Sequence, residues 1–248
     1  MSDEEIVIAA AEGDCRSWVF TPDEGAGPWP AVIFYMDALA IRPALLEMAQ
    51  RLSNGGYVVL LPDLFYRNGP YDEMVPAEVF ATGDPRSVFG PLMASTDGQR
   101  AAADTTGFLS YLDSRTDVAG TAVGCTGYCM GGGIALWAAA THPDRIAAAA
   151  SFHGGKLATD DELSAHTRVA DIKGRVYIGA ADNDGSYPPA MAARLTEALM
   201  EANVDFRHDL YVGSAHGWTM ADFPIHDAAG SDRHFEELFA LFSSSLGA

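Results

Sequence analysis

The feature that most constrains this chain is the segment Gly127-Tyr128-Cys129-Met130-Gly131, set between the apolar run Thr121–Thr126 and the helical stretch Met130–Ala140. An extended run that passes straight into a helix, with glycine two residues before and two residues after a central cysteine, describes a very tight strand-to-helix turn. The positions flanking the tip have no room for a Cβ, which is why they are glycine. Such a turn places the Cys129 side chain at the carboxyl edge of a parallel sheet, outside the core. It also points the backbone N–H of Met130 at the spot where an oxyanion would develop, while the helix N-terminus beneath favours the anionic form of the thiol.

A parallel sheet is what the rest of the chain supplies. Ile6–Ala10 and Arg16–Phe20 read as an antiparallel opening pair, and Ala31–Met36 as a strand covered on both faces, because its apolar run is unbroken. Tyr57–Leu61, Ala147–Phe152, Arg175–Ala180 and Arg207–Val212 continue the series. Helices are expected at Pro43–Leu52, closed by Asn54-Gly55-Gly56, at Asp97–Ser114, Pro189–Ala202 and Ser231–Leu246. The alternation predicts a three-layer αβα sandwich with a mostly parallel sheet of about eight strands and six or so helices. The length of 248 residues suits one such domain. Residues 65–95 are rich in Pro, Gly, Asp and aromatics, with a helical hint only at Pro76–Ala81; a loop of that length reads as a lid or pocket wall.

Composition removes several classes. The net charge of −19 argues against a nucleic-acid partner, which needs a basic surface. The three cysteines Cys15, Cys125 and Cys129 make an odd set with no zinc spacing, so neither a disulfide framework nor a metal is expected; Cys125, on the strand itself, reads as core. The N-terminus is acidic where a secretory leader is basic, and no apolar run reaches the roughly 18 residues of a membrane span. The expectation is a cytoplasmic protein, a monomer or small homo-oligomer, with no cofactor and a small-molecule substrate.

A nucleophilic thiol needs a base, and the base needs an orienting acid. Of seven histidines, His142, His166 and His234 read as surface residues, His208 lies at a strand, and His226 lies in a polar loop. His216 directly follows a strand and is flanked by Gly213 and Gly217, the setting of a catalytic base. His153 also follows a strand and is a candidate for the pocket wall. After Arg175–Ala180, both Asp182 and Asp184 are within reach of an imidazole; Asp184, just ahead of Pro188 and the next helix, is the preferred acid.

These residues resemble the dienelactone hydrolase family of α/β-hydrolases over nearly the whole chain, on Gly127-Tyr128-Cys129-Met130-Gly131-Gly132, Leu61-Pro62-Asp63-Leu64, the acid loop ending at Pro188, and His216-Gly217-Trp218. The resemblance implies a Cys-His-Asp triad on Cys129, His216 and Asp184, and a thiol-activating carboxylate at Asp37. It also implies oxyanion donors at the N–H groups of Met130 and Ala38. The expected activity is hydrolysis of a small ester or enol lactone through an acyl-enzyme. An acyl transferase or a ligand-binding protein on the same scaffold are the alternatives. Members that act on dienelactones hold the substrate carboxylate with an arginine four residues after the histidine; here that position is Met220, leaving Arg67 and Arg86 of the long loop as stand-ins. Tyr35, Tyr66, Tyr128 and Trp218, near motif ends, are the expected aromatic pocket walls.

Overall fold

The computed structural model describes residues 3–247; the reading of Met1 and Ser2 lies outside the described residues. Strands β1 (Asp3–Ala10) and β2 (Gly13–Phe20) form the expected antiparallel hairpin, and β3 (Trp29–Tyr35) follows. Helix α1 (Pro43–Asn54) begins on a proline, whose missing N–H costs nothing in a first turn. It leads into β4 (Val58–Pro62). Residues 65–95 carry more helix than their composition suggests. Besides α2 (Pro76–Ala81) there is α3 (Pro85–Met93), which again opens on proline and tolerates Pro91 only in its last turn. Proline here starts helices as well as ending them, so a proline-rich stretch is not by itself irregular.

Helix α4 (Gly98–Ser114) is capped by Asp97, whose carboxylate accepts the Arg100 N–H, leaving one fewer orphan donor. The rest follows as β5 (Val118–Tyr128), α5 (Met130–Thr141), β6 (Ile146–Phe152), β7 (Arg175–Asn183), α6 (Pro189–Glu201), β8 (Phe206–Ala215) and α7 (Ala228–Leu246), with a 3-10 segment at Ala165–Asp171 in place of an α-helix between β6 and β7. Among the described residues these strands make one sheet in the order β1-β2-β4-β3-β5-β6-β7-β8, antiparallel through β1, β2 and β4 and parallel from β4 onward. No described helix is long and apolar enough to cross a membrane.

Successive strand residues face opposite sides, and β5 shows which helices cover which face. A Cβ on Gly124 would strike Phe242 of α7, whereas the Cys125 thiol points to the Ala135 carbonyl of α5. Burial raises the Cys125 thiol pKa, in keeping with a core residue. The chain leaves β3 toward β4 but leaves β5 toward β6, so the strand order reverses between these neighbours. That reversal opens a crevice at their carboxyl ends, where ligands bind in open α/β sheets.

The elbow at the head of β5 is packed to its limit. A Cβ on Gly127 would lie 1.9 Å from the Gly131 carbonyl oxygen, and one on Gly131 would lie 2.3 Å from the Tyr35 carbonyl oxygen. Cys129 itself has φ of 53°, a left-handed conformation that a non-glycine residue adopts only when its surroundings force it. Gly127→Ala is therefore expected to cost about 2 kcal/mol or more in urea unfolding, because both colliding partners are backbone. Gly185→Ala, where an added Cβ meets nothing within 4 Å, should stay within about 0.5 kcal/mol of the parent.

Candidate active site

Three elements bring the chemistry together. The elbow after β5 presents Cys129, the turn after β7 presents Asp184, and the loop after β8 presents His216. His216 Nε2 lies 3.1 Å from Cys129 Sγ, and His216 Nδ1 lies 2.7 Å from Asp184 Oδ2. Asp184 is buried, while His216 keeps 30% of its side chain accessible, so the acid is shielded and the base still reaches solvent. Ser186, not foreseen from sequence, completes the set. Its backbone N–H and its hydroxyl both donate to Asp184 Oδ1, at 2.8 and 2.6 Å, and its Oγ lies 3.0 Å from His216 Nδ1. An aspartate two residues ahead of a serine that bonds back to it is a local Asx turn. Asp182 plays no part here: it is exposed and accepts the Gly213 N–H.

The electrostatics follow from this geometry. Burial works against a charged His216, but the neighbouring Cys129 sulfur and the Asp184 carboxylate outweigh it and push the imidazole up to about 10. For Asp184, burial is likewise the largest influence, and it is overcome by His216 and Ser186, which hold the carboxyl below its usual range. Carboxylate, imidazole and sulfur thus stand in one line, with the raised imidazole in the middle.

Asp37 is placed differently from expectation. It is 1% exposed, and both carboxylate oxygens are taken by Arg42, at 2.7 and 2.8 Å; Oδ1 also accepts the Leu39 N–H. Arg42 turns its Nε to Asp222 Oδ2 at 2.6 Å and lies against the Phe223 ring. Among the described residues the Cys129 sulfur is hydrogen-bonded to His216 and not to Asp37. Three hydrogen bonds, two from Arg42 and one from the Leu39 N–H, thus hold this carboxylate in place. Breaking a buried pair of this kind costs about 3–5 kcal/mol. The pair holds the turn after β3, which includes Ala38, against the elbow: Gly131 touches the carbonyls of Tyr35 and Met36.

Three expected pocket aromatics lie in the core instead. Tyr35 is fully buried with its hydroxyl 2.8 Å from Thr105 Oγ1, and Tyr128 is fully buried with its hydroxyl 3.0 Å from His234 Nε2. Trp218 is also fully buried, packed on Tyr211 and His153. Each belongs to a strand end or turn covered from both sides, so closeness to a motif does not mean exposure to substrate. His234 is likewise no surface residue. It is wholly buried, donates from Nδ1 to the Ser231 carbonyl, and is held down to about 3 chiefly by burial. Tyr66 lines a different cavity, beside Arg42 and Tyr71, and donates to Asp104. His153 is buried beneath His216, with ring centroids 5.3 Å apart.

A cavity of about 440 Å³ opens beside the elbow, walled by Met130, Gly133, Gly155 and Trp137. It reaches the site: a Cβ on Gly155 would lie 3.8 Å from His216 Cε1. Arg86 and Lys156 stand on its rim. Every lysine and arginine other than these two forms an ion pair with Asp or Glu among the described residues. Arg67, the other stand-in for the missing arginine, is consumed by Asp104 and Glu12, and Met220 is buried.

Over residues 15–246 the chain matches the dienelactone hydrolase family. It belongs to that family. A protein of Escherichia coli K12 provisionally named a carboxymethylenebutenolidase is 24% identical, covering 91% of this chain and 81% of its own length. A crystal structure from Klebsiella pneumoniae, provisionally named a dienelactone hydrolase, superposes with a TM-score of 0.84 at 20% identity, covering 97% of this chain and 98% of that one. A dienelactone hydrolase-like promiscuous phosphotriesterase from metagenomic libraries gives 0.76 at 19% identity, with 98% of both chains covered. These superpositions establish the α/β-hydrolase fold.

The charge on His216 is measurable. In ¹⁵N NMR its imidazole should remain doubly protonated at pH 8 and titrate near 10, and in Cys129→Ala it should titrate lower, because one of the two raising partners is gone. The sign for stability follows: a pKa raised from 6.5 to about 10 contributes in full below pH 6.5 and is lost as pH rises toward 10. The urea midpoint should therefore fall more steeply from pH 7 to 10 in wild type than in Cys129→Ala.

Proposed function

We propose that the protein hydrolyses small carboxylic esters or lactones with Cys129 as nucleophile, His216 as acid and base, and Asp184 as its orienting acid. The observation that carries this reading is the continuous line Cys129 Sγ, His216 Nε2, His216 Nδ1, Asp184 Oδ2, with gaps of 3.1 and 2.7 Å. Membership of a hydrolase family supports it.

The sulfur attacks the carbonyl carbon, and the electron pair of the C=O bond moves to oxygen. The N–H groups of Met130, at the start of α5, and Ala38, in the turn after β3, receive that charge. When the tetrahedral adduct collapses, the leaving alkoxide or enolate takes the proton from His216 Nε2. The neutral imidazole then removes a proton from water as it attacks the thioester, and the thiolate–imidazolium pair is restored. Asp37 is held by Arg42, and His216 is the group in contact with the sulfur that takes its proton.

Cys129→Ala and His216→Ala should each lower kcat/KM on a panel of aryl esters and enol lactones by about 10³ or more, with the fold intact by circular dichroism. Wild-type rates in both variants would sink the mechanism.

The two cations without carboxylate partners point to an ester that carries its own carboxylate, since an anion entering a chain of net charge −19 needs a local positive site. Arg86→Gln and Lys156→Gln should each raise KM for a carboxylate-bearing ester about three- to tenfold, the worth of one partly exposed charged hydrogen bond. KM for the neutral methyl ester should stay unchanged.

A further inference from the structure

His153 has a place in the site that nucleophile, base and acid leave unused. It follows β6, is 1% exposed, and holds φ of 39°, a left-handed backbone that histidine adopts only under constraint. Its Nδ1 accepts the backbone N–H of Cys129 at 3.1 Å, a proton shared with the Phe152 carbonyl at the same distance. An accepting Nδ1 fixes the tautomer. The ring proton is on Nε2 and is donated to Thr219 Oγ1 at 2.8 Å. Thr219 is also buried, three residues after His216 in the loop following β8. One imidazole therefore spans from the nucleophile's own peptide to the loop that carries its base. The ring also packs edge-on against His216 and Trp218, with centroids 5.3 and 5.1 Å away. Burial first, and then the positive charge of His216 and of Arg42, keep the imidazole well below its ordinary pKa, so Nδ1 keeps its lone pair.

We infer that His153 is a positioning residue, a neutral bridge that holds the Cys129 N–H at one end and Thr219 at the other and so sets the spacing between the thiol and His216. The strained φ of Cys129 gives the bridge its purpose. A residue held at 53° relaxes if its peptide is released, and the 3.1 Å sulfur–nitrogen contact opens with it. This inference rests on the reading of Cys129 as nucleophile, but it is tested by a reaction that needs no ester.

Three variants separate the two ends. His153→Phe keeps the ring and loses both bonds. His153→Asn tolerates the left-handed backbone and puts Oδ1 where Nδ1 stood, restoring the acceptor for Cys129 but not the reach to Thr219. His153→Gln places its amide near the Nε2 position and restores the other end. The readouts are the rate of Cys129 alkylation by iodoacetamide at pH 7, with buried Cys15 and Cys125 as unreactive internal controls, and kcat and KM on an aryl acetate. His153→Phe should lose about tenfold in alkylation and in kcat, with KM within about twofold, and His153→Asn should recover to within about threefold of wild type. His153→Gln should stay near the Phe variant. Alkylation of His153→Phe at the wild-type rate, or an Asn variant no faster than Phe, overturns the inference. If His153→Phe fails to fold, Thr219→Val takes its place: a slower alkylation supports the bridge and an unchanged rate overturns it. Should wild type hydrolyse no ester at all, the ester-hydrolase reading fails, and the alkylation arm still decides the role of His153.

Discussion

The site depends on a crowding of backbone against backbone at the elbow. Gly131 lies so close to the carbonyls of Tyr35 and Met36, and Gly127 so close to that of Gly131, that the strand end, the turn and the first turn of α5 have one arrangement available. Cys129 is driven into left-handed backbone by that closure. Its thiol is presented to the crevice because the main chain beneath cannot turn elsewhere. Such strain persists only where the surroundings over-determine it. Here they are two strands, a helix, and a histidine on the cysteine's own N–H.

Charge is distributed around that point with the same economy. The chain has many more acids than bases, and nearly all its cations are paired. The most deeply buried guanidinium, Arg42, ties Asp37 to Asp222 and stays charged because two carboxylates outweigh its burial. Asp37 is thereby held in a buried ion pair at the turn after β3. The sulfur of Cys129 then has one charged neighbour in hydrogen-bond reach, His216. Burial discourages a charge on Arg42 and on His216, and both hold theirs because their partners are in contact.

How much of this was legible in the sequence varied with the range of the interaction. The elbow, the strand–helix alternation and His216 are local signals: a glycine pattern, apolar runs and a histidine between glycines just past a strand. Asp184 was separable from Asp182 only in preference, because the deciding fact is that β7 runs on to Asn183, leaving Asp182 on the strand and Asp184 in the turn. The aromatics failed for a related reason. Tyr35, Tyr128 and Trp218 stand beside motifs, but proximity along the chain does not say which side of a doubly covered sheet a ring falls on. Arg42 was illegible, since nothing near it announces Asp222. Helix α3 is hidden by the Pro, Gly and Asp content of its segment, although Pro85 stands at its start, where proline is tolerated.

That Arg42–Asp222 contact spans 180 positions, and Cys129 meets His216 across 87. A chain synthesised from its N-terminus carries Asp37, Arg42 and the elbow long before it carries their partners. Until the segment after β8 is made, Arg42 has Asp37 without Asp222, and Cys129 lacks the imidazole of His216. Contacts of such long reach form late, after the loop-closure entropy of the intervening chain has been overcome. The same topology that puts the site at the reversal of the sheet therefore makes the cysteine–histidine contact one of the last the molecule can form.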